Sequence, residues 1–479
     1  MGKKNKAGIT VDKLEKPNEW YTEIIAKSNL IEYTDVSGCY ILKPKSQFIW
    51  DTIHDFMDKL IKERKVKNAS FPLFIPESYL LKEQDHVEGF SPEVAWVTKA
   101  GDTELNEKLA IRPTSETIMY PAYAKWIRSH NDLPLKLNQW CSVVRWEFKN
   151  PMPFLRSREF YWQEGHTAFA TKKEADTEAK DILLNVYKKT YEELLAIPCM
   201  TGKKSEKEKF AGADYSLSCE VYLPIGKAIQ GCTSHHLGQN FAKAFNITFT
   251  DTDQKDKYVY QNSWGFTTRS IGVAIMMHSD SHGLVLPPRI AENKLAIVPI
   301  QKKGGKDVTS YAKAIAGELG EFNPILDDRE QYSPGWKFNE HELNGIPLRI
   351  EIGEKEMAEG KLTLMRRDTL EKKSVERKDL AETIKNELDA MHDALFKKAQ
   401  SFLDDNLIES YDKKEIIKAV KKGKVVKTVY DGTIETEDII KDQTTGKTLV
   451  IPFDAKKPDK ACPFSGKPAK HEVYLARSL

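Results

Sequence analysis

The sequence changes its pattern near residues 287–290, and this change sets how the chain divides. Before it, from residue 20 onward, aromatic residues are dense and short β-rich runs are broken by Pro and Gly. After it, strand-like runs alternate with helical stretches, which is typical of a small α/β domain. A chain of 479 residues has room for two to four domains. We therefore expect an aromatic-rich N-terminal body followed by smaller α/β units.

Two predicted strands separated by a proline-rich loop are the clearest local feature of the N-terminal body. Residues 136–148 predict the first strand, residues 159–164 predict the second, and residues 150–153 form the loop. Thr171 and Glu174 then form a capping box, which predicts a helix of roughly 25 residues that ends before Pro198. The apolar run 271–277 is compatible with a buried helix or strand, and its small residues favour a tightly packed helix.

The second half of the chain predicts two further units. Residues 295–300, 347–353 and 362–365 predict strands, and residues 311–319 and 354–359 predict helices between them. Residues 379–402 carry apolar side chains on one face and predict an amphipathic helix. The expected division is a flexible basic arm at 1–17, a body at 18–292, an α/β domain at 293–398 and a small α/β C-terminal module at 399–479.

Charge and cysteine content limit the class of protein. The formal net charge is only +2, so a nucleic-acid partner would need a local basic face. No stretch approaches the ~18 apolar residues of a membrane span, and the basic start of the chain lacks the apolar segment of a secretory signal. The six cysteines have no paired spacing, which predicts free thiols in a reducing, cytoplasmic compartment.

Arginines on separate segments are the first candidates for chemistry. The sequence lacks a P-loop, an HExxH pair and a GxSxG turn. Arg145 and Glu147 lie two residues apart, which predicts one face of one strand, while Arg156 and Arg269 follow on other segments. Three converging guanidinium groups would suit a triphosphate. The alternative is that they are ordinary surface or ion-pairing arginines.

Several long motifs, in the correct order, resemble the prolyl-tRNA synthetase family, in its archaeal and eukaryotic-type branch. They are Arg112-Pro-Thr-Ser-Glu116, Val144-Arg-Trp-Glu-Phe148, Phe154-Leu-Arg-Ser-Arg-Glu-Phe160, Gln163-Glu-Gly-His166, Lys207-Glu-Lys-Phe-Ala-Gly212, Ala228-Ile-Gln-Gly-Cys-Thr-Ser-His-His-Leu-Gly238 and Trp264-Gly-Phe-Thr-Thr-Arg269. The resemblance runs from about Pro17 to the last residue. It implies an α+β class II catalytic domain with an antiparallel sheet flanked by helices, then an α/β anticodon-binding domain.

The resemblance also assigns the three class II motifs. The helix at residues 50–64, leading to Phe71, is similar to motif 1, which forms the dimer interface in the family. Residues 143–163 correspond to motif 2, and motif 3 centres on Arg269. The family therefore implies a homodimer that uses ATP, Mg²⁺, L-proline and tRNA(Pro), forms a prolyl-adenylate and releases pyrophosphate and then AMP.

Individual roles follow from the resemblance. Arg145 would bridge the proline carboxylate and the α-phosphate, while Arg156 and Arg269 would hold the terminal phosphates. The implied ATP contacts, with Gln230 also implied for Mg²⁺, are Arg145, Glu147, Arg156, Ser157, Gln230, Thr233, Thr267 and Arg269. The implied proline contacts are Thr114, Glu116, Arg145, Trp162, His166 and His235, with Phe90 as a further wall of the ring. Glu116 and Thr114 match the two protons of a secondary ammonium.

Other interpretations are open for the histidines, as packed side chains or as metal ligands. His235 and His236 are compatible with packed or solvent-facing side chains, and a zinc site there lacks ligands beyond Cys232. His278, Asp280 and His282 are compatible with a metal site, but the intervening serines favour a structural turn.

The tRNA-binding end of the chain is less specific. Trp336, Lys337 and Glu340 are candidates for anticodon contacts, with a packing turn as the alternative. The lysines at 302–303 and 421–424 are either phosphate contacts or solvated charge.

Two expected absences complete the sequence-based prediction. Some relatives carry an editing domain between motifs 2 and 3, but residues 165–265 leave no room for one, so no editing in cis is expected. Relatives often hold zinc with four C-terminal cysteines, where this chain has Asp431, Thr436, Cys462 and Ser465. We therefore expect a module that folds without zinc.

Two rival functions remain. One is a class II synthetase for threonine, histidine or glycine, which the Thr114/Glu116 pair and the loop at 207–212 disfavour. The other is a synthetase-like RNA-binding regulator without catalysis, which the presence of Arg145, Arg269 and Glu116 disfavours.

Overall fold

An eight-stranded sheet forms the centre of the N-terminal body in the computed structural model, which describes residues 8–84, 93–302 and 304–479. In spatial order its strands are Ile451–Pro452, Met200–Lys203, Tyr215–Leu223, Lys227–Gly238, Tyr260–Thr267, Glu159–Phe169, Leu135–Val144 and Lys67–Asn68. Neighbouring strands are antiparallel, except that Lys67–Asn68 runs parallel to the strand beside it. The predicted antiparallel sheet is confirmed.

Helices bury one side of this sheet. The core contains Trp20, Ile53, Leu183 and Val273, all almost fully buried. The helices that contribute to this core are Pro17–Lys27, Pro44–Glu63, Lys172–Ile182, Arg269–His278 and the π-helical segments Leu183–Lys188 and Thr190–Leu194. The predicted capping box is confirmed, because the Thr171 hydroxyl accepts a hydrogen bond from the Glu174 amide. The helical run behind it ends before Pro198, as predicted, but its second half has the wider π-helical turns.

The first predicted strand is shorter than expected, and this moves one candidate residue. It ends at Val144, after which the Arg145 amide still donates to the Arg158 carbonyl at 2.8 Å. The Trp146 amide turns instead to the Glu93 carbonyl at 3.0 Å, and residues 146–147 form a turn. The prediction that Arg145 and Glu147 share one strand face is therefore wrong, because the strand ends before both residues.

A five-stranded sheet forms the predicted α/β domain. Its order is Ile325–Leu326, Leu295–Pro299, Leu348–Ile352, Lys361–Arg366 and Lys372–Glu376. The first three strands are parallel and the last two are antiparallel to their neighbours. The helices are Val308–Glu318, Pro334–Leu343, Glu354–Glu359 and the long Leu380–Asn406, which continues past residue 398, where the sequence places a domain boundary. The alternation predicted from the sequence is confirmed.

The C-terminal module packs two helices, Lys413–Lys421 and Ile434–Thr444, on a four-stranded sheet. Its strands, in order, are Leu407–Glu409, Val425–Tyr430, His471–Ala476 and Lys447–Thr448. The next strand, Ile451–Pro452, leaves the module and pairs with Met200–Lys203 at the edge of the large sheet. Gly202 permits this approach, since a Cβ there would lie 2.2 Å from the Ile451 carbonyl oxygen. The module and the N-terminal body thus share one sheet.

Smaller elements surround the large sheet. They are the hairpins Ile31–Tyr33/Tyr40–Leu42 and Thr248–Thr250/Asp256–Tyr258, the three-stranded sheet Phe74–Pro76/Thr103–Ile111/Trp96–Ala100, and the helices Glu77–Gln84, Glu116–Trp126 and Asn240–Phe245. Between residues 165 and 265, the chain consists of the strands and helices described above and the loops that connect them. Across the described ranges, no helix combines the length and apolar character that crossing a membrane requires.

The N-terminal segment differs from the predicted flexible arm where the structure describes it. Thr10 donates backbone and side-chain hydrogen bonds to Glu23, and Ile9 and Val11 pack on the main core. The Lys13 ammonium donates to the Ser279 carbonyl at 2.8 Å. Apolar side chains at positions 9 and 11 give this segment a packing surface. Residues 1–7 of the predicted arm lie outside the described residues.

Hydrogen bonds among polar side chains involve three of the four positions at which relatives were expected to hold zinc, Asp431, Thr436 and Ser465. Asp431 accepts from the Thr436 hydroxyl at 2.9 Å and from the Thr433 amide and hydroxyl at 3.1 and 3.0 Å. Burial acts to raise the pKa of Asp431, but hydrogen bonds from Ser465 and the two threonines outweigh it and lower that pKa. Cys462 is buried in the apolar core of the module. The three polar side chains thus bond through Asp431, while the thiol packs among apolar side chains.

Asp431→Ala should destabilise the C-terminal module by about 1–3 kcal/mol, because buried donors lose their acceptor. Hydrogen exchange across residues 413–479 would measure the loss, with the exposed Asp442→Ala as the matched control. Since the folded-state pKa of Asp431 is depressed, its stabilising effect should be present above the unfolded pKa of about 3.9 and lost as pH falls below it. Unchanged exchange in Asp431→Ala, or stoichiometric zinc in the purified chain, would contradict this account.

Candidate active site

A cavity of about 320 Å³ lies over the central strands of the large sheet. The strands Glu159–Phe169, Tyr260–Thr267 and Lys227–Gly238 contribute most of the strand residues of the lining, and Tyr215–Leu223 contributes Ser216. Loops and the first residues of two helices, Glu116 and Arg269, contribute the rest. The predicted site residues that line the cavity are Thr114, Glu116, Arg145, Ser157, Trp162, His166, Gln230, Thr233, His235, Thr267 and Arg269. Segments far apart in sequence therefore meet at one pocket.

Strand alternation determines which side chains face the cavity. Trp162, Glu164 and His166 lie two residues apart on Glu159–Phe169, and all three line the cavity. The sequence analysis named Trp162 and His166 but missed Glu164. The period of two between them was the signal that could have identified it.

Glu164 is the centre of a buried hydrogen-bond network. Its carboxylate accepts from the Ser115 amide at 3.1 Å and the Gln139 amide group at 3.1 Å, and it lies 3.0 Å from His166 Nε2. Burial acts to raise the pKa of Glu164, but these partners, with the charge of His166, outweigh burial and lower it. Burial likewise acts to lower the pKa of His166, while Glu116 and Glu164 raise it above its usual value. The pair is thus an ion pair inside the protein.

Thr114 and Glu116 lie beside this ion pair. The Thr114 hydroxyl donates to the Glu116 carboxylate, and both side chains are buried. Glu116 is the first residue of the helix Glu116–Trp126, where the helix dipole favours a negative charge. The pocket wall therefore presents a carboxylate and a hydroxyl side by side.

One cluster in the described part of the chain has the composition of a metal site. One ligand atom from each of Glu116, Glu164 and His166 lies within 4.8 Å of the other two. Two of these groups already form the ion pair, which leaves Glu116 with its hydroxyl neighbour to face a ligand. A carboxylate paired with a hydroxyl suits an ammonium better than a divalent cation that needs several oxygen ligands.

Two arginines bring positive charge to the cavity. Arg145 donates from Nε to the Pro113 carbonyl at 2.9 Å, and its guanidinium lies 5.2 Å from the centre of the Trp162 ring. Arg269 donates to the carbonyls of Leu155 and Gln230, each at 3.2 Å. Burial, with the nearby charge of Arg145, lowers the pKa of Arg269. Since neither guanidinium forms an ion pair within 4 Å in the described residues, both retain charge for an anionic ligand.

His235 is a neutral wall of the cavity. Desolvation and the charges of Arg145 and His166 lower its pKa to about 3. Its Nδ1 lies 2.7 Å from the Ser216 hydroxyl, and its ring lies 4.7 Å from that of Phe210. The imidazole therefore contributes shape and hydrogen bonding at neutral pH, without a second positive charge.

Three predicted residues are not part of the described cavity wall. Glu147 is exposed in the turn after the first strand, and Arg156 lies in the following loop, outside the lining. Phe90 lies outside the described residues. Conversely, the sequence analysis did not single out the lining residues Lys204, Glu208, Lys209, Phe210 and Ser216. Three of them belong to the quoted motif at residues 207–212, whose spacing gives no indication of which side chains face inward.

The anticodon candidates lie on the helix Pro334–Leu343 of the α/β domain, and none of them lines the cavity. Trp336 stacks on Tyr332 with ring centres 3.8 Å apart, and the Arg329 guanidinium lies 5.3 Å from the Trp336 ring. Glu340 forms an ion pair with Arg329. Lys337 differs from expectation, because its side chain is buried and its ammonium donates to the Asp327 carbonyl at 2.9 Å. Trp336 and Glu340 thus lie on one polar and aromatic face, while Lys337 supports it from within.

Comparisons with known proteins agree with this architecture. Residues 96–278 match the class II core domain of tRNA synthetases (G, H, P, S and T), and residues 294–387 match an anticodon binding domain. Residues 413–479 match the C-terminal domain of prolyl-tRNA synthetase.

Similar proteins cover nearly the whole chain. The sequence is 47% identical to the cytoplasmic proline–tRNA ligase of Arabidopsis thaliana, over 98% of this chain and 91% of that protein. It is 45% identical to the proline–tRNA ligase of Encephalitozoon cuniculi, over 99% of each chain. It is 43% identical to that of Haloarcula marismortui, over the full length of both. The chain therefore belongs to the proline–tRNA ligase family of class II aminoacyl-tRNA synthetases.

Proposed function

We propose that this chain attaches L-proline to tRNA(Pro) at the expense of ATP, through a prolyl-adenylate, and releases pyrophosphate and then AMP. The observation that carries the proposal is one pocket that holds a buried carboxylate–hydroxyl pair together with two arginines that have no ion-pair partner among the described residues. An amino acid with a secondary ammonium matches the first pair, and an activated phosphate ester matches the arginines.

The amino-acid end fits proline. Glu116 and Thr114 would each accept one proton of the secondary ammonium, while Trp162, His166 and His235 would surround the ring. Neutral His235 adds no repulsion against the ammonium. The Glu164–His166 ion pair would keep His166 in place, since moving either charge would leave the other buried and unpaired.

The phosphate end fits ATP. Arg145, whose guanidinium lies 5.2 Å from the centre of the Trp162 ring, would bridge the proline carboxylate and the α-phosphate, so that the nucleophile and phosphorus are held together. Arg269 would hold the terminal phosphates, as would Arg156 if the loop that carries it closed over them. Ser157, Gln230, Thr233 and Thr267 would supply the remaining polar contacts to ATP. Glu147 is exposed on the same loop as Arg156, between two strands of the large sheet, and would reach the nucleotide only if that loop closed.

Magnesium fits this set of donors. The side-chain oxygen of Gln230 and the phosphate oxygens of ATP are hard ligands of the type Mg²⁺ prefers. Bound there, the ion would neutralise charge on the phosphates. No structural zinc is part of the proposal, because the Asp431 hydrogen bonds and the packing of Cys462 support a module that folds by itself.

Assembly and location are further parts of the proposal. Exposed apolar side chains concentrate on the small sheet that contains Phe74–Pro76 and on the neighbouring Glu77–Gln84 helix, among them Phe74, Tyr79 and Trp96. Such a concentration supports burial against a second copy, as a homodimer. The six free cysteines support a reducing, cytoplasmic location.

Arg145→Ala should reduce proline-dependent pyrophosphate exchange by about 10²–10³-fold or more, because the guanidinium would stabilise charge that develops at the α-phosphate. Arg145→Lys keeps the charge without the planar fork and should recover only part of the activity. Light scattering and tRNA filter binding should show an unchanged dimer with unchanged tRNA affinity. Retained exchange in Arg145→Ala would show that the catalytic assignment is wrong.

Glu164→Gln should raise the KM for proline about tenfold or more and leave the KM for ATP nearly unchanged, because a charged hydrogen bond to His166 is lost. Without the carboxylate, burial lowers the pKa of His166, so the fall of kcat/KM for proline at alkaline pH should begin at lower pH. Glu178→Gln, a buried carboxyl outside the cavity, is the matched control. Equal KM values and pH profiles for both variants would contradict the role of the ion pair.

Trp336→Ala should raise the KM for tRNA(Pro) roughly tenfold, since one base–aromatic stack contributes about 1–3 kcal/mol. Pyrophosphate exchange without tRNA should stay at the parent rate, because Trp336 lies in the other domain. Leu370→Ala, an exposed apolar substitution in the same domain, serves as control. An unchanged KM for tRNA would place the anticodon contacts elsewhere.

A further inference from the structure

The cavity is bounded on one side by residues 204–214, which we name the pocket loop, between the strands Met200–Lys203 and Tyr215–Leu223. Lys204, Glu208, Lys209 and Phe210 of this loop line the cavity. The Phe210 amide donates to the Ser216 hydroxyl at 2.9 Å, and the same hydroxyl lies 2.7 Å from His235. Because the Phe210 ring also packs on His235, movement of the loop would disturb the amino-acid end of the cavity.

The C-terminal module holds the first half of this loop with buried groups. Lys204 donates to the Leu449 carbonyl at 3.0 Å and to Glu220 at 2.8 Å, inside the protein. The Ser205 hydroxyl donates to Glu437 at 2.8 Å. The Thr448 hydroxyl donates to the same Glu437 oxygen at 2.6 Å, and all three of these side chains are buried. One carboxylate of the module thus fixes the loop to the strand Lys447–Thr448.

Ion pairs hold the next part of the loop. The Lys447 ammonium donates to the Glu208 carboxylate at 2.7 Å, and Lys207 pairs with Asp438. Glu208 lines the cavity, so a charge on the module contacts a residue of the pocket wall directly. Backbone pairing of Ile451 with Lys203 anchors the strand that leads into the loop. Apart from the bond between Lys204 and Glu220, the contacts named above for residues 203–208 join the body to the module.

We propose that the C-terminal module supports the proline pocket, with Glu437 and Lys447 as positioning residues that hold the pocket loop in the conformation that binds proline. Two parts of the pocket loop then have different roles, one in anchoring and one in contacting the pocket. The module fixes residues 204–208, and this fixed segment presents Phe210 to His235. The kinetic part of the proposal rests on the proposed function, whereas the structural part concerns the order of the loop alone.

Glu437→Ala removes the shared acceptor of Ser205 and Thr448 and should raise the KM for proline at least fivefold in pyrophosphate exchange, with kcat little changed. Glu437→Gln keeps an acceptor oxygen and should restore most of the affinity. Lys447→Glu should raise the same KM by repulsion from Glu208, while Lys447→Arg should not. Lys418→Glu, the same charge change at an exposed position of the same module, should behave as the parent chain.

Hydrogen exchange of the pocket loop supplies a readout that is independent of activity. Residues 204–214 should exchange faster in Glu437→Ala and Lys447→Glu than in the parent, and the exchange of residues 159–169 should stay unchanged. If Glu437→Ala fails to fold, Lys447→Glu carries the test. Parent-like loop exchange and a parent-like KM for proline in folded variants would overturn the proposal that Glu437 and Lys447 position the pocket loop. A parent chain without proline-dependent exchange would instead refute the proposed function, and loop exchange would still decide whether the module orders the loop.

Discussion

The register of three antiparallel strands is the constraint on which the rest of the site depends. The strand Tyr260–Thr267 pairs with Glu159–Phe169 on one side and Lys227–Gly238 on the other. In this register His166, Ser263 and His235 form one row across the sheet, and Glu164, Gly265 and Thr233 form the next. A slip of one residue would turn these side chains to the helix-covered face. The pocket is therefore specified by the same pairing that builds the core.

The charged groups around the cavity suit the proposed chemistry. Glu164 is neutralised by His166, and Glu116 faces the cavity with Thr114. The guanidinium groups of Arg145 and Arg269 are bonded to backbone carbonyls. Carbonyl acceptors orient an arginine without cancelling its charge, so the site is ordered before a ligand binds. Such preorganised charge is the largest contribution in many reactions at phosphate and acyl centres.

The large sheet also explains why the C-terminal module lies so close to the cavity. Its edge is completed by Ile451–Pro452, which belongs to the C-terminal part of the chain. At the same time, the backbone amide of Leu479 donates to the Ala228 carbonyl at 2.9 Å, two residues from Gln230. The module thus contacts the strand and the loop that form two walls of the pocket. A domain that looks peripheral in sequence order is adjacent to the site in space.

Most of the strands and helices, and the chemical groups that line the cavity, can be predicted from the sequence. Local rules suffice for the Thr171 capping box and the alternating strands, and the motif resemblance identified Arg145, Arg269, Thr114 and Glu116. Other features depend on the tertiary structure, because the spacing of residues along the chain does not show which distant side chains meet. The turn at Trp146 moves Glu147 away from the cavity, and folding of the α/β domain buries Lys337. The contact of Lys447 with Glu208 joins residues more than two hundred positions apart, which is a product of global packing rather than of sequence pattern.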